Sequence, residues 1–204
     1  MIRPPEGARA VSLAREAIAY GLAHGPVRDP AAPFRSADLP RVFDEPRGVF
    51  VTLLRAEDAS LRGCIGYIVP VYPLRVGIPR VAWAAAVDDP RFPPLGASEL
   101  DRTIIEVSVL TVPEEIPEGR SIPAEVVVGR DGLIVDRDGE SGLLLPQVAV
   151  EEGWDAPRFL SETCRKAGLP PDAWRRSGTV VRRFQAELFR ERSPGAPAEP
   201  HVIA

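Results

Sequence analysis

The chain carries the heptapeptide Leu61-Arg62-Gly63-Cys64-Ile65-Gly66-Tyr67, which places one of its two cysteines between two glycines. Its apolar and small residues predict a β-strand, and a glycine inside a strand marks a bulge or a close approach by another backbone or a ligand. Alternation along a strand puts Arg62, Cys64 and Gly66 on one face. The heptapeptide therefore predicts a reachable thiol beside a permanent positive charge, an arrangement that favours the thiolate.

Composition restricts the class of protein. The 204 residues, 45% hydrophobic and 26% charged, suit one domain or two packed halves with a sizeable core. A net charge of −4 argues against general nucleic-acid binding, because phosphate contacts need a clustered positive surface. The N-terminal residues lack the apolar stretch of a signal peptide, and no later run is long enough to span a membrane. We expect a cytoplasmic protein without membrane contact.

Cysteine and histidine are too scarce for several kinds of chemistry. Two cysteines, Cys64 and Cys164, do not make a disulfide scaffold, and cytosolic thiols stay reduced. The only histidines are His24 and His201, which argues against most zinc sites and against Cys–His or Ser–His–Asp catalysis. The chain also lacks a phosphate-binding glycine-rich loop, a dinucleotide fingerprint and an iron–sulfur cysteine cluster. We therefore expect no metal and no cofactor.

Hydrophobic periodicity predicts helices and strands in the first half of the chain. Residues 8–22 have helical spacing, and residues 48–54 form a hairpin with the heptapeptide. Residues 104–111 alternate as a strand. A second helix ends before Pro90. It starts either with Pro79 in its first turn, or at Pro73 with a kink at Pro79.

The second half of the chain repeats the order of the first: strand, polar turn, glycine-containing strand and helix. These elements cover residues 132–135, 137–140 and 142–145 and a helix between Asp155 and Gly168. We interpret this as an internal duplication with repeats over roughly residues 8–100 and 101–190. A single domain is expected over residues 1–192, followed by a flexible tail, rich in Pro and Ala, over residues 193–204.

Several distinctive motifs occur in one order along the chain. They are Leu61-Arg62-Gly63-Cys64-Ile65-Gly66, Asp89-Pro90-Arg91-Phe92-Pro93-Pro94, Glu106-Val107-Ser108-Val109-Leu110, Gly142-Leu143-Leu144-Leu145-Pro146-Gln147-Val148-Ala149, Glu152-Gly153-Trp154-Asp155 and Cys164-Arg165-Lys166-Ala167-Gly168-Leu169-Pro170. With these motifs the chain resembles the AMMECR-one family, whose bacterial and archaeal members are labelled AmmeMemoRadiSam system protein A. The resemblance covers about residues 8–190.

The resemblance implies an α+β fold in which two similar β-rich repeats form one barrel-like mixed sheet with flanking helices. It also implies partners, namely a Memo-like protein akin to extradiol dioxygenases and a radical-SAM enzyme. It implies no established reaction, so the chemistry has to be inferred from the residues.

Cys64 and Glu106 are the candidate catalytic residues. The thiol is either a nucleophilic or redox-active group helped by Arg62, or a small residue packed in a tight strand, and no nearby histidine supplies a base. Glu106 lies in an apolar strand, where a bare carboxylate is costly. It is either a general acid or base, a ligand contact, or a structural residue that faces water or pairs with Arg62 or Arg91. Cys164 is expected in the core.

Candidate substrate-binding residues are Arg62, Gly63, Gly66, Arg91 and Gln147. The glycines leave room for a ligand against the strand. Arg91 follows a helix in a loop stiffened by prolines, where it suits a carboxylate or phosphate, or else caps that helix. Gln147 follows an apolar strand, and its amide either orients a ligand or satisfies loose backbone groups.

Two functions agree with these residues. The first is a groove around the heptapeptide that acts on a small organic molecule together with Memo-like and radical-SAM partners. If the chain is an enzyme, the Cys64 thiol is its reactive group. The second is a non-catalytic adaptor that binds proteins through the same surface. A nucleic-acid role ranks third because of the acidic balance. The reaction and the oligomeric state stay open.

Overall fold

The computed structural model describes residues 2–25, 28–117 and 121–201. These residues divide into two compact units. The first unit runs to Leu110 and takes up the chain again from Glu187, whereas the second comprises Thr111–Ala186. Within the described residues, no helix combines the length and the apolar character that crossing a membrane requires.

Six α-helices and eight strands follow one another along the described chain. They are α1 (Pro4–His24), β1 (Val49–Arg55), β2 (Leu61–Tyr67), α2 (Leu74–Val87), α3 (Ala97–Leu100), β3 (Thr103–Leu110), β4 (Glu114–Glu115), α4 (Ile122–Glu125), β5 (Asp131–Arg137), β6 (Glu140–Leu144), α5 (Pro146–Glu151), α6 (Ala156–Lys166), β7 (Val180–Glu191) and β8 (Ala198–His201). The mixed α+β class predicted from the sequence is confirmed.

The core of the first unit is built from α1, α2 and one face of β1 and β3. Val51 and Leu53 of β1 and Ile105 and Val107 of β3 are fully buried on that face. The predicted helix over residues 8–22 is confirmed. It starts earlier, because prolines fit the first helical turn, where no N–H partner is needed. The predicted strands before and after the heptapeptide are also confirmed, each shifted by one residue.

Helix α2 starts as in the second of the two expected arrangements. It begins at Leu74, directly after Pro73, so Pro79 lies inside it rather than in its first turn. Leu74 and Ile78 are both fully buried. The packing of these side chains holds the additional turn, because tertiary packing supplies most of the stability of a helix in a protein.

The second unit has its own core around Leu133, Phe159 and Leu160, which are all fully buried. Helix α6 begins as predicted, because a carboxylate oxygen of Asp155 accepts a hydrogen bond from the backbone N–H of Arg158 at 2.8 Å. Gly168, with φ of +76°, lies just beyond its end, where a left-handed backbone favours glycine. The predicted boundaries of this helix are confirmed.

Strand pairing corrects two expectations and leaves two others untested. Strand β1 pairs with β2 and β3, and β7 pairs with β4, β5 and β8. All of these pairs are antiparallel, whereas a sheet with both parallel and antiparallel pairs was expected. Within the expected tail, Ala198–His201 form β8, because pairing with β7 satisfies their backbone groups. Residues 202–204 of that tail lie outside the described residues. The internal duplication and the barrel-like closure stay predictions.

The two glycines of the heptapeptide are required by the protein's own packing. A Cβ atom on Gly63 would lie 2.2 Å from the carbonyl oxygen of Ala85 in α2. A Cβ atom on Gly66 would lie 2.3 Å from the ring of Phe50, the residue opposite it in β1. The close approach predicted for these glycines is therefore made by the α2 backbone and by Phe50. The expectation that these glycines leave room for a ligand is wrong, because the protein's own atoms fill that space.

Replacing Gly63 by alanine should lower the free energy of unfolding by about 1–3 kcal/mol, because α2 has to move away from β2 to admit the methyl group. Urea unfolding of the purified variant measures this change. Gly96→Ala is the matched control, since its Cβ would lie 3.7 Å from the nearest atom. We expect the control to stay within about 0.5 kcal/mol of the original chain. Equal stability of the two variants would contradict this account of the packing.

Candidate functional site

Cys64, Thr52 and Glu106 lie at one level across three neighbouring strands. Thr52 of β1 pairs with Cys64 of β2 on one side and with Glu106 of β3 on the other. Directly opposed residues in antiparallel strands present their side chains on the same face. We call this the Thr52 face; it is opposite to the face that carries Val51 and Leu53. The structure thus brings the two candidate catalytic residues together on one face.

The thiol of Cys64 is oriented by a hydroxyl group. Cys64 is partly exposed, and its Sγ accepts a hydrogen bond from Thr52 Oγ1 at 3.3 Å. Glu106 lies two strand spacings away, about 10 Å, which is too far to take the thiol proton directly. The two groups therefore do not act on each other directly.

Arg62 does not share the face of Cys64, contrary to the expectation from alternation. Leu53 pairs with Gly63 and Leu54 with Leu61, so Arg62 is the extra residue of a β-bulge. Bulges re-aim side chains and interrupt alternation. The buried guanidinium group donates to both carboxylate oxygens of Glu99, at 3.0 and 3.1 Å, and to the carbonyl oxygen of Pro93 at 2.9 Å. The prediction that Arg62 activates the thiol is therefore wrong.

Glu106 is paired with Arg190, a residue that sequence reasoning missed. Glu106 is buried, and its Oε2 accepts from Arg190 Nε at 2.7 Å and lies 2.6 Å from Nη2. The expected partners, Arg62 and Arg91, bind other carboxylates. Arg190 lies near the end of β7, far from Glu106 in sequence. No local spacing could have identified it, because only the sheet brings the two residues together.

Arg91 and Asp89 hold the peptide groups of Cys64. Asp89 Oδ2 accepts from the Cys64 N–H at 2.8 Å, and Arg91 Nη2 donates to the Cys64 carbonyl oxygen at 3.3 Å. Arg91 also donates to both carboxylate oxygens of Asp89, at 2.9 and 2.7 Å. Strand β2 lies at the edge of its sheet, so this pair takes the place of a neighbouring strand. We call it the Asp89–Arg91 clamp.

The clamp sets the charge state of Asp89. Hydrogen bonds from Arg91, strengthened by backbone N–H groups of Cys64 and Arg91, hold the pKa of the Asp89 carboxyl far below its usual range. Arg91 thus serves the edge of β2 instead of capping the preceding helix. The sequence contains a local indication of this role: Asp89 and Arg91 flank Pro90, which stiffens the loop that carries both side chains.

Gln147 belongs to another part of the fold. It follows β6, as expected from the sequence, and lies in the first turn of α5, in the second unit. Its Oε1 atom is buried, and among the described residues it has no hydrogen-bond partner. Cys164 is fully buried in the core of the same unit, as expected. The described residues contain no cluster of three or more His, Cys, Asp or Glu side chains suited to a metal ion.

The fold and the site define a mixed α+β protein with a partly exposed thiol and a half-buried ion pair on one sheet face. The chain belongs to the AMMECR1 family, whose model matches residues 11–189. It is 50% identical to Protein TK0174 of Thermococcus kodakarensis, over 92% of this chain and 91% of that protein. It is also 50% identical to Protein PF1979 of Pyrococcus furiosus, over 93% of this chain and 90% of that protein.

A solved structure agrees with this assignment. The crystal structure of uncharacterized protein PH0010 from Pyrococcus horikoshii is similar with a TM-score of 0.80 and 46% sequence identity, over 98% of each chain. The family resemblance inferred from the ordered motifs is therefore confirmed. The names of these relatives state no activity, so the function has to be inferred from the site.

The two thiols should differ in reactivity. In the folded protein, iodoacetamide should modify Cys64 at least about tenfold faster than Cys164, because Cys164 becomes accessible only when its core opens. Burial also raises the pKa of the Cys164 thiol. Mass spectrometry of the alkylated peptides over time measures both rates. The urea-unfolded chain is the control, in which the rates should converge. Similar rates in the folded protein would contradict the placement of Cys64.

The Asp89–Arg91 clamp should make stability depend on pH. Asp89→Asn should cost about 1–3 kcal/mol of unfolding free energy at pH 7, because it weakens hydrogen bonds to a buried carboxylate. A lowered folded-state pKa stabilises the fold above the unfolded pKa of about 3.9 and loses that contribution as the pH falls toward the folded value. The difference between the original chain and Asp89→Asn should therefore narrow on acidification below pH 4.

Urea unfolding at a series of pH values measures that difference. Asp101→Asn, which changes an exposed carboxylate just after α3, is the matched control and should show no comparable loss at pH 7. A cost of Asp89→Asn that persists unchanged at low pH would show that the carboxylate charge does not stabilise β2.

Proposed function

We propose that the chain binds a small organic molecule on the Thr52 face and contacts it through the Cys64 thiol and the Glu106–Arg190 pair. The observation that carries this proposal is the alignment of Cys64, Thr52 and Glu106 at one level of three adjacent strands. A partly exposed thiol and a carboxylate about 10 Å apart suit the two ends of a small molecule.

The Glu106–Arg190 pair favours a ligand with polar groups. Both contacts from Arg190 end on Oε2 of Glu106, and among the described residues no hydrogen bond is assigned to Oε1. A buried ion pair adds little net stability, because desolvation offsets the attraction between the charges. A carboxylate with one oxygen available, held in place by an arginine, can accept a hydrogen bond from a ligand hydroxyl or amine.

The Asp89–Arg91 clamp holds the Cys64 thiol in position before a ligand binds. It fixes the backbone of Cys64, while Thr52 directs the sulfur. A functional group is most effective when neighbouring interactions hold it in place before the ligand arrives. In this proposal Arg91 is a positioning residue, Gly63 and Gly66 permit the packing of the strand, and neither Arg62 nor Gln147 contacts the ligand.

The resemblance supports the remaining parts of the proposal. We infer that the chain works with Memo-like and radical-SAM proteins, which rests on family membership alone. We place it in the cytoplasm, where the two unpaired thiols would stay reduced. In the enzymatic form of the proposal, the Cys64 sulfur adds to a carbonyl carbon of the molecule, the C=O π bond opens, and the thiol proton passes through water to the carbonyl oxygen, so that no group leaves.

A second candidate is a non-catalytic adaptor. Val69 and Val71, which follow β2, are 66% and 58% exposed. Exposed apolar side chains close together favour contact with another protein. This candidate needs the segment after β2 but does not need the thiol.

Complementation separates the two candidates. Cells that lack the chain and contain the Memo-like and radical-SAM proteins receive the original sequence, Cys64→Ser or Cys164→Ser, and their metabolites are measured by mass spectrometry. We expect a metabolite to accumulate without the chain. The original sequence and Cys164→Ser should remove it, whereas Cys64→Ser should leave at least about 90% of it, because removal of a nucleophile abolishes turnover. Circular dichroism checks that each variant folds.

Two outcomes would contradict a reaction at the Cys64 thiol. Removal of the metabolite by Cys64→Ser would show that the sulfur does not react. The second outcome is that the double variant Val69→Asp, Val71→Asp no longer removes the metabolite and no longer co-purifies with the Memo-like protein. The adaptor function would then replace the first candidate. Both valines are exposed, so their replacement should not disturb the core.

A further inference from the structure

A cavity of about 370 Å³ lies within the first unit, away from the Thr52, Cys64 and Glu106 row. Arg55 and Glu57 at the end of β1, Arg62 in β2, and Glu99 and Arg102 around α3 line it. Its volume is at the lower end of the range for small-molecule pockets, about 300–1,000 Å³. The cavity thus combines three arginines with room for a small ligand.

Arg62 has a hydrogen-bonding atom that the protein does not use. The side chain is only 3% exposed, and its Nε and Nη2 atoms are bonded to Glu99 and Pro93. The Nη1 atom is buried and, among the described residues, has no hydrogen-bond partner. An unpaired donor on a buried charged group is costly, so such atoms in a folded protein call for an explanation. A ligand oxygen would satisfy this donor once the side chain turns it toward the cavity that Arg62 lines.

The charges around the cavity favour an anion. Glu99 is ionised, because hydrogen bonds from Arg62 lower the pKa of its carboxyl group. Three arginines against Glu57 and Glu99 leave one positive charge in excess. Arg102 is exposed, and no ion pair within the described residues is assigned to it. Arg62, with its unmatched donor, and the exposed Arg102 line the same cavity, so both can bind one anionic group.

We propose that this cavity binds a small molecule through a carboxylate or phosphate group, with Arg62 Nη1 as the buried donor and Arg55 and Arg102 as further cationic contacts. Carboxylate and phosphate present similar acceptor oxygens to a guanidinium fork. None of these residues belongs to the row of Cys64, Thr52 and Glu106. The two proposals therefore fail or hold independently.

Isothermal titration calorimetry with inorganic phosphate and with acetate tests the cavity, and acetamide is the neutral analogue of acetate. Sodium chloride keeps the ionic strength equal in all titrations. We expect saturable binding of phosphate or acetate, and the anion that binds more tightly identifies the preferred group. Acetamide should not bind, because it lacks the charge that the arginines recognise.

Three variants locate the bound anion. Arg102→Gln removes a charge from the exposed rim and should weaken binding by at least about threefold. Arg62→Lys keeps the charge but removes the fork, and should weaken it by about tenfold or more. Arg9→Gln changes a partly exposed arginine of α1 outside the cavity and should bind as the original chain does.

Two results would overturn the proposal. One is the absence of saturable binding by both anions. The other is an affinity of Arg102→Gln equal to that of Arg9→Gln. Because Arg62 is buried, circular dichroism checks the fold of Arg62→Lys. The Arg102→Gln comparison decides the outcome if that variant unfolds.

Discussion

The candidate site depends on how closely α2 lies on β2. The carbonyl oxygen of Ala85 occupies the space where any residue other than Gly63 would carry its Cβ. Because this approach fixes the end of α2, Asp89 reaches the N–H of Cys64, and Arg91 reaches its carbonyl oxygen. Two side chains thus satisfy backbone groups at a strand edge, which would otherwise be open to another strand. The position of the thiol follows from this contact.

One extra residue gives the heptapeptide two separate chemical roles. The bulge at Arg62 interrupts the alternation of β2, so the guanidinium group and the thiol no longer share a face. Cys64 meets Thr52 across the sheet, while Arg62 is held by Glu99 beside a cavity. The positive charge therefore supports an anion-binding proposal, and the thiol supports a different one.

The buried carboxylates of the first unit differ in how fully the protein satisfies them. Glu191 accepts two hydrogen bonds from Arg15 and one from the backbone N–H of Ile105, so both of its oxygens are bonded within the fold. Glu106 is bonded through Oε2 alone among the described residues. Full satisfaction is typical of a structural carboxylate, because every missing bond is costly in the interior. Glu106 differs, because its Oε1 is not one of the buried atoms without a partner and so lies where a ligand can reach it, which supports the proposal that Glu106 binds a ligand.

The sequence by itself determined the family, the α+β class, the main helices and strands of both units, and the importance of the segments around Cys64 and Arg91. Periodicity, proline and glycine act over a few residues, so they can be recognised without the fold. The tertiary structure alone decided that Arg190 pairs with Glu106, that Glu99 holds Arg62, and that α2 fills the space beside Gly63. These contacts join residues 22 to 84 positions apart. No local pattern encodes such pairs, because they form only when strands and helices pack in one register.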